Sequence, residues 1–451
     1  MSLKLYPESA VQDIASAIRG AYGGISTTYT ISEMASAILN IPAGEDNKSI
    51  VDSIVDATIT EFTYSSSLSA LPNYLFKNCS SLSTVSVGGV DRVNYQCFYG
   101  CTSLTSVTLP SCSLIDQYAF YSCAGLTSAS FPNCSSIGSS AFYHCTGLVS
   151  AHFSICGTIN YAAFAGCTGL TSISFPSCKT VNTLAFNGCT TLTSIYFPSC
   201  TTCGASAFAG CTNLSSVDLP VCTMVSANAF LSCKVKSLSL PQCKSILSNA
   251  FKSCKLTSLY LPECVVVGSS AFINSPSLSS IDLPKCTTIS NSAFAQCESL
   301  TYASLPNCIS ISTYAFQNCG FTTIDLPQCK TIARAFIGNK SLISVSIPEC
   351  TALSDYYAFQ YCIELSTISL PKCSILGNGT FSSCYNLLSV YLMSTAVCTL
   401  SSTNAFSYTP ISDYTASTGG VYGSIYVPAS LYDSYIVSTN WVTYSSRFVG
   451  I

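Results

Sequence analysis

The chain has 451 residues, of which 48% are hydrophobic and only 8% are charged, and its formal net charge is −3. Its 17 lysines and arginines are too few over this length to form a basic stripe, so we expect no nucleic-acid partner. The first residues lack the apolar stretch of a secretory signal, and the chain has no run of about 18 apolar residues, so no membrane insertion is expected.

Residues 1–62 precede a region of repeats and are predicted to form a small helical module. Apolar residues recur at i, i+3, i+4 and i+7 in residues 11–18 and again in residues 31–38. This spacing is typical of an amphipathic helix. A third apolar stripe at Ile50, Ile54 and Val55 is expected to lead into the first repeat.

Residues 63–410 repeat one pattern. A phenylalanine, usually preceded by alanine, recurs mostly every 22 residues, with occasional steps of 20, 21, 23 and 25 residues. The phenylalanines mark sixteen coils, at Phe76, Phe98, Phe120, Phe142, Phe164, Phe186, Phe208, Phe230, Phe251, Phe272, Phe294, Phe316, Phe336, Phe359, Phe381 and Phe406. The slips in spacing indicate that loop residues are gained or lost outside a constant coil core.

One coil, residues 104–123, illustrates the expected local structure. Val107 alternates with the polar residues Ser106 and Thr108, which is the pattern of a half-buried strand. Pro110 ends the strand, because proline has no N–H group to donate to a neighbouring strand. The returning arc has apolar residues at irregular intervals and is predicted to contain turns and short helical pieces.

A single coil is too small to enclose its own apolar side chains, so each coil must stack on the next, about 4.8 Å away along a parallel sheet. We therefore predict an α/β repeat fold, a right-handed solenoid with a parallel β-sheet. Residues 411–451 are predicted to cap it with a strand at 423–428 and a short helix near 431–436. In this cap, four residues are expected to close the core: Trp441, Val442, Phe448 and Val449.

The order Leu-x-x-Ile-x-Leu-Pro-x-Cys-x-x-Ile-x-x-x-Ala-Phe-x-x-Cys, as in residues 278–297, resembles the BspA-type leucine-rich repeats of bacterial surface and host-associated proteins. Departures from it are local: Ser154 replaces the proline, Ser275 and Asn339 replace the second cysteine, and Thr380 replaces the alanine. The resemblance implies a leucine-rich-repeat solenoid that adheres to a partner. It implies no catalytic residues.

Residues 11–19 and 29–38 resemble a small helical module found at the start of tail-associated proteins of phages that infect Gram-positive bacteria. Together with residues 426–435, this resemblance implies a virion adhesin, assembled in the bacterial cytoplasm and attached to other virion proteins through residues 1–62. Two alternatives stay open: a structural decoration protein of a virion and a bacterial cell-surface adhesin. Self-association into a homo-oligomer also stays open.

The 29 cysteines fall mainly into two columns, one after the strand from Cys112 to Cys373 and one after the phenylalanine from Cys79 to Cys384. We interpret them as buried free thiols that pack as small apolar groups. Disulfides between coils are the alternative, but parallel side chains do not readily reach the required dihedral angle. Zinc is disfavoured because lines of single thiols do not form tetrahedral sites, and we expect no metal or cofactor.

The chain is not expected to be an enzyme. Its only histidines are His144 and His152, and no nucleotide-binding, metalloprotease or hydrolase motif occurs. A catalytic dyad would need a positioned third group, which the pattern does not supply. Asp355 and Glu364 are far apart in sequence and are interpreted as surface residues.

The candidate binding residues lie on the strand positions that face away from the core. One outward column is nearly uniform in small hydroxyls, which would also suit close strand spacing and solubility, and the next is more varied. Tyrosine and serine together provide rigid area and adaptable hydrogen bonds. We predict contacts with a glycan or protein of a host cell through six residues: Tyr196, Asp218, Tyr260, Asp282, Tyr302 and Asp325. A second candidate surface groups Tyr99, Tyr121, Tyr143 and His144.

Overall fold

The computed structural model describes residues 57–64, 70–353 and 355–451. They form two compact units. The N-terminal unit comprises the described residues up to Cys200 together with Ala207–Leu214, and the C-terminal unit comprises Thr201–Ser206 and Ser215–Ile451. Most of the predicted helical module, residues 1–56, lies outside the described residues. The first described strand, Glu61–Tyr64, crosses the boundary predicted at residue 62.

Each coil contributes one strand of three or four residues, which we call a long strand. Paired long strands are parallel, and each residue pairs with its counterpart in the next coil, as Ser150 does with Ser172. In the N-terminal unit the long strands are Glu61–Tyr64, Thr84–Val87, Ser106–Thr108, Ser128–Ser130, Ser150–His152, Ser172–Ser174 and Ser194–Tyr196. In the C-terminal unit they are Ser216–Asp218, Ser237–Ser239, Ser258–Tyr260, Ser280–Asp282, Tyr302–Ser304, Thr323–Asp325, Ser344–Ser346, Thr367–Ser369, Ser389–Tyr391, Ser424–Val427 and Phe448–Gly450.

The long strands have the alternation that the sequence predicts. Ile195 is buried, whereas its neighbours Ser194 and Tyr196 are exposed. In the C-terminal unit, Ile324 is buried between exposed Thr323 and Asp325. The parallel solenoid is therefore confirmed within each unit, because the inward residues of successive coils form a shared core.

A second ladder of two-residue parallel strands, the short strands, was not predicted from the sequence. In the N-terminal unit the short strands are Ala70–Leu71, Arg92–Val93, Leu114–Ile115, Ser136–Ile137, Thr158–Ile159 and Thr180–Val181. In the C-terminal unit they are Thr202–Cys203, Met224–Val225, Ser245–Ile246, Val266–Val267, Thr288–Ile289, Ser310–Ile311, Thr331–Ile332, Ala352–Leu353, Ile375–Leu376 and Thr399–Leu400. The predicted helical pieces of the returning arc were wrong for the described coils before residue 402: the arc there contains short strands and turns.

The phenylalanine column lies at the centre of each unit. Phe142 is fully buried and stacks on Phe120 and Phe164, with ring centroids 5.0 Å away in both directions. The turn around each phenylalanine also pairs with the next coil, because the Phe142 N–H donates to the Ala163 carbonyl at 2.7 Å. Each coil is thus held to its neighbour at three edges, so the backbone polar groups of the arc are satisfied without a helix.

All 29 cysteines lie in the described residues and all are buried. In the column after the phenylalanine, the thiol donates to a carbonyl of the preceding coil, as Cys145 Sγ does to the Phe120 carbonyl at 3.0 Å. Asn339 replaces such a thiol and donates its Nδ2 group to the Phe316 carbonyl at 2.8 Å. Burial raises the pKa of most of the thiols, that of Cys134 to about 12. The interpretation of the cysteines as buried packing groups is confirmed.

The C-terminal cap adds the chain's described helices. One α-helix, Tyr432–Val437, follows the strand Ser424–Val427, close to the predicted positions. The 3-10 helices are Thr403–Phe406, Pro410–Ser412, Ala416–Thr418, Ala429–Leu431 and Trp441–Arg447.

Two of the four predicted cap residues close the core. Trp441 and Phe448 are buried, and the Trp441 Nε1 group donates to the Cys398 carbonyl at 2.6 Å. The prediction was wrong for Val442 and Val449, which are 58% and 38% exposed. Val449 follows Phe448 in a strand, where successive side chains point to opposite faces. Tyr435 is buried in their place.

Candidate functional site

The outward residues of the long strands form what we call the long-strand face. Each long strand except the last, Phe448–Gly450, contributes its first and third residues, so the face consists of two columns. Ser150 and Ser172 belong to the first column of the N-terminal unit, and His152 and Ser174 to the second. The parallel register keeps equivalent residues side by side, about 4.8 Å apart. Small hydroxyl side chains predominate in both columns, so the few larger side chains project beyond their neighbours.

The six predicted binding residues all lie on the long-strand face. Tyr196 belongs to the N-terminal unit, where its side chain is 59% exposed. The other five lie on six consecutive long strands of the C-terminal unit, from Ser216–Asp218 to Thr323–Asp325. Tyr260 and Tyr302 are 58% and 60% exposed. Four of these five stand in the second column, and Tyr302 stands in the first, opposite Ser280.

The six side chains are available for outside contacts. Within the described part of the chain they form no hydrogen bond, ion pair or aromatic ring contact with other residues. Asp218 and Asp282 are separated by three strand spacings, about 14 Å. Asp282 and Tyr302 lie on adjacent strands, two residues apart in register. The face therefore presents carboxylates and phenol rings at separated points on a floor of hydroxyl groups.

Two further tyrosines of the second column were not predicted from the sequence. Tyr391 pairs in register with Tyr426, and their rings are stacked with centroids 4.5 Å apart. Both are half-buried. They escaped notice because Leu392 is followed by methionine where most coils have the strand-ending proline, and because 35 residues separate the two tyrosines.

The second candidate surface is a stack of tyrosines at the turns of the N-terminal unit. Tyr121 stacks on Tyr99 and Tyr143 with centroids 4.7 and 4.9 Å away. His144 covers Tyr143 at 4.4 Å, and Lys77 Nζ lies 5.2 Å from the centre of the Tyr99 ring. The ring faces are therefore occupied by one another, and only edges and hydroxyls are presented. Burial, with the neighbouring phenols of Tyr99 and Tyr143, raises the pKa of Tyr121.

His144, His152, Asp355 and Glu364 all lie on the exposed surface of the described residues. His152 Nε2 lies 3.0 Å from Ser154 Oγ on the exposed surface. Among the described residues, neither histidine forms an ion pair with a carboxylate. Glu364 accepts a hydrogen bond from Asn386 Nδ2 at 3.1 Å, and both Asp355 and Glu364 are exposed.

No group of three or more His, Cys, Asp or Glu side chains is placed to hold a metal ion in residues 57–64, 70–353 and 355–451. In the same ranges, no helix has the length and apolar character needed to cross a membrane.

Comparison with known proteins identifies one family. The profile of the BspA type leucine-rich repeat region matches residues 53–156, 152–242, 223–334 and 309–420, and these stretches span well over half of the chain. None of the curated protein sequences matches the chain.

Solved leucine-rich repeat structures resemble the chain at low sequence identity. A leucine-rich repeat protein from Bacteroides ovatus is 22% identical, with 74% of this chain and 79% of that chain covered and a TM-score of 0.45. A leucine-rich cell surface protein from Faecalibacterium prausnitzii is 20% identical, with 75% and 87% covered and a TM-score of 0.37. A leucine-rich repeat protein from Eubacterium ventriosum is 20% identical, with 80% and 87% covered and a TM-score of 0.33.

Proposed function

The chain belongs to the BspA-type leucine-rich repeat family, and we propose that it is a non-enzymatic recognition protein that adheres to a cell surface through its long-strand face. The partner is a glycan or a protein. Within each unit, the solenoid holds the face rigid, because each coil is bonded to the next at three edges. Repeat solenoids commonly provide such extended binding surfaces.

The exposed tyrosines carry the proposal. Tyr196, Tyr260 and Tyr302 each keep more than half of the side chain in contact with solvent. Tyrosine loses little conformational entropy when it binds and is common at the energetic centres of interfaces. Exposed ring surface is unfavourable in water, and a bound partner would remove it from water. The placement of these rings above small hydroxyls therefore favours a binding role.

The carboxylates refine the chemistry of the partner. Asp218, Asp282 and Asp325 are exposed on the same face and have no cationic neighbour in ion-pair contact within the described residues. A carboxylate accepts hydrogen bonds from sugar hydroxyls or from the cationic groups of a protein. Both partner classes therefore fit the face.

The test uses the full chain with Tyr196, Tyr260 and Tyr302 each changed to serine, the residue that neighbouring coils use. Binding of the labelled protein to a panel of cultured cells is measured by flow cytometry. We expect binding to fall by about tenfold or more, as is usual when interface tyrosines are truncated. Prior treatment of the cells with glycosidases or proteases identifies the class of partner.

The matched control changes three exposed tyrosines outside the long strands, Tyr161, Tyr361 and Tyr408, to serine. This variant should bind cells as the unmodified chain does. Equal binding by both triple variants and the unmodified chain would refute the role of the long-strand face.

We propose that the protein is displayed on a bacterial cell surface or on a virion. The family match supports the bacterial surface. The virion is the second candidate, favoured by the resemblance of residues 11–19 and 29–38 to phage tail-associated modules. A chain lacking residues 1–62 separates the two: in a virion protein, it should no longer assemble with other virion proteins. Normal incorporation of the truncated chain would contradict the anchoring role of these residues.

A further inference from the structure

Basic residues are concentrated in one short stretch of the C-terminal unit. Five of the chain's 17 basic residues are lysines between residues 234 and 255, and no acidic residue occurs between Asp218 and Glu263. In a chain with net charge −3, this stretch carries an isolated positive charge. Four of these lysines belong to what we call the lysine rim: Lys234, Lys236, Lys252 and Lys255.

The lysine rim is formed by two neighbouring coils. The Ser232 N–H donates to the Lys252 carbonyl at 3.0 Å, and the Thr257 N–H donates to the Lys236 carbonyl at 2.7 Å. The segments 232–236 and 252–257 therefore run side by side. Lys236 and Lys255 are exposed, and Lys252 is half-buried.

The two coils that form the rim are each one residue shorter than most others between the cysteine and the long strand, and this brings the rim close to the long strands. Three residues separate Cys233 from the strand Ser237–Ser239, whereas four separate Cys211 from the strand Ser216–Asp218. The same shortening follows Cys254. The missing residue removes the turn found in the longer coils, so lysines that follow the cysteine lie beside the first residues of the strands.

Within the described residues, Lys236, Lys252 and Lys255 form no ion pair with an acidic residue. Glu263 forms an ion pair with Lys285 at 2.7 Å. Asp218 lies opposite Ser239, the last residue of the strand that begins after Lys236. Ser239 and Lys236 are three residues apart, which is about 10 Å in an extended strand. The rim therefore attracts anions.

We propose that the lysine rim binds a linear anionic polysaccharide. Coils repeat about every 4.8 Å, which is close to the length of one pyranose unit, so successive coils can meet successive sugars. Ser237 and Ser258 lie beside the rim, with their hydroxyl oxygens 3.0 Å apart, and can bind sugar hydroxyls. The rim lysines lie outside the two columns of the long-strand face, and Ser237 and Ser258 belong to its first column. The site therefore borders that face and does not depend on its tyrosines.

Other anionic polymers fit the rim less well. Duplex DNA is bound largely through many contacts to backbone phosphates, and four lysines on two neighbouring coils offer few such contacts. Phosphorylated peptides are recognised mainly by arginine clusters, whose planar groups grip phosphate with paired hydrogen bonds. The rim contains lysine alone.

The test compares two triple variants of the full chain that have equal net charge. The rim variant is Lys236→Thr, Lys252→Gln and Lys255→Thr, which introduces residues that other coils carry at these positions. The control variant changes Lys244, Lys330 and Lys340 to threonine. Lys244 directly precedes the short strand Ser245–Ile246 and so belongs to another edge of the coil. Dextran sulfate is the anionic probe and dextran the neutral probe, and affinity is measured over a series of salt concentrations.

We expect the unmodified chain to bind dextran sulfate and not dextran. The rim variant should bind about tenfold more weakly, and its salt dependence, the slope of log K against log salt, should fall by about 2. The control variant should keep both values. Equal losses in the two variants, or no loss in the rim variant, would overturn the proposal. Tighter rim-dependent binding to duplex DNA than to dextran sulfate would overturn the assignment to a polysaccharide.

The outcome is separable from that of the tyrosine experiment. The rim variant keeps Tyr196, Tyr260 and Tyr302, and the tyrosine variant keeps all four rim lysines. Loss of dextran sulfate binding in the rim variant alone supports the rim even where the tyrosine changes leave cell binding intact.

Discussion

The two units fill the same coil with different side chains. In the N-terminal unit, four successive coils end the long strand with a second buried phenylalanine, at Phe131, Phe153, Phe175 and Phe197. In the C-terminal unit the equivalent residue is leucine or isoleucine, as at Leu261, Leu283 and Ile347. The extra rings meet the main phenylalanine column at an angle, as Phe175 meets Phe164 with centroids 5.8 Å apart and planes inclined by 71°.

This difference between the units shows which features every coil shares and which position can vary. Both units keep the stacked phenylalanine column and the buried thiols, and both keep parallel pairing between coils. The residue that ends the strand varies in volume, and neighbouring coils vary with it. Like residues on consecutive coils fill the core layer by layer, as a close-packed interior requires.

The largest expected effect concerns the thiols, which the two units share. Burial raises the pKa of Cys134 in the N-terminal unit and of Cys243 in the C-terminal unit to about 12, from an ordinary value of 9.0. The unfolded chain therefore loses thiol protons first, and stability falls as the pH rises from about 9 to about 12. Each such thiol contributes a loss of about 1.4 kcal/mol per pH unit in this window. Circular dichroism under reducing conditions should show both units unfolding together.

Because many thiols act at once, the alkaline transition should be complete before pH 12. Replacing Cys134 and Cys243 with alanine should make the pH dependence less steep. Unchanged circular dichroism up to pH 11 would contradict the assignment, and unfolding of one unit alone would show that the units differ in their thiols as well as in their rings.

The next effect compares the central phenylalanine in the two units. Phe164 contacts Phe142 and Phe186 in its own column and also Phe153 and Phe175, whereas Phe294 contacts only the two neighbours in its column among the described rings. Changing either to alanine should cost about 3–5 kcal/mol. The two added aromatic contacts should raise the cost at Phe164 by about 1–2 kcal/mol. Urea unfolding of the two variants measures the difference, and equal costs would contradict the role given to the second column.

A smaller effect is expected when the variable residue is exchanged between the units. Phe153→Leu should cost no more than about 1.5 kcal/mol, because leucine serves at this position in the C-terminal unit. Leu283→Phe should cost about 1–3 kcal/mol, because a larger side chain in a buried layer of leucines forces its neighbours to shift. Chemical denaturation of both single variants tests this order, and the reverse order would show that the two layers are packed alike.

The smallest effect concerns the second residue after each central phenylalanine, which has a left-handed backbone in both units. The N-terminal unit has Gly188 there, with φ +71° and no atom within 4 Å of an added Cβ. Gly188→Ala should cost about 1 kcal/mol, from the backbone alone. In the C-terminal unit Ser253 has φ 60°, and Ser253→Gly should stabilise by about 0.5 kcal/mol.

Gly157 provides the matched control for this pair. It also has open space for a Cβ, and its φ lies outside the left-handed region. Gly157→Ala should therefore leave the thermal midpoint unchanged or slightly raised. A loss at Gly157 equal to that at Gly188 would show that the cost does not come from the left-handed backbone.

Much of the interior followed from the sequence, because every coil restates the same pattern. The spacing of Phe142 and its counterparts, the alternation around Ile195 and the burial of the cysteines were all legible from local periodicity. Repetition also placed Tyr260 and Tyr302 on the outward face, since alternation in a strand assigns each side chain to one side or the other. The partner bound there remains a prediction.

Other features depended on contacts between coils. The two-residue strands are too short to show a periodicity, and they exist because residues such as Ser136 and Thr158, 22 positions apart, pair side by side. Val449 is exposed, although it is apolar, because Phe448 takes the inward side of the same strand. The net charge of −3 gives no indication of the lysine rim. Its lysines come to one edge only because residues 232–236 stack on residues 252–257. Local order in the chain determines each coil, and the alignment of one coil with the next decides which side chains meet.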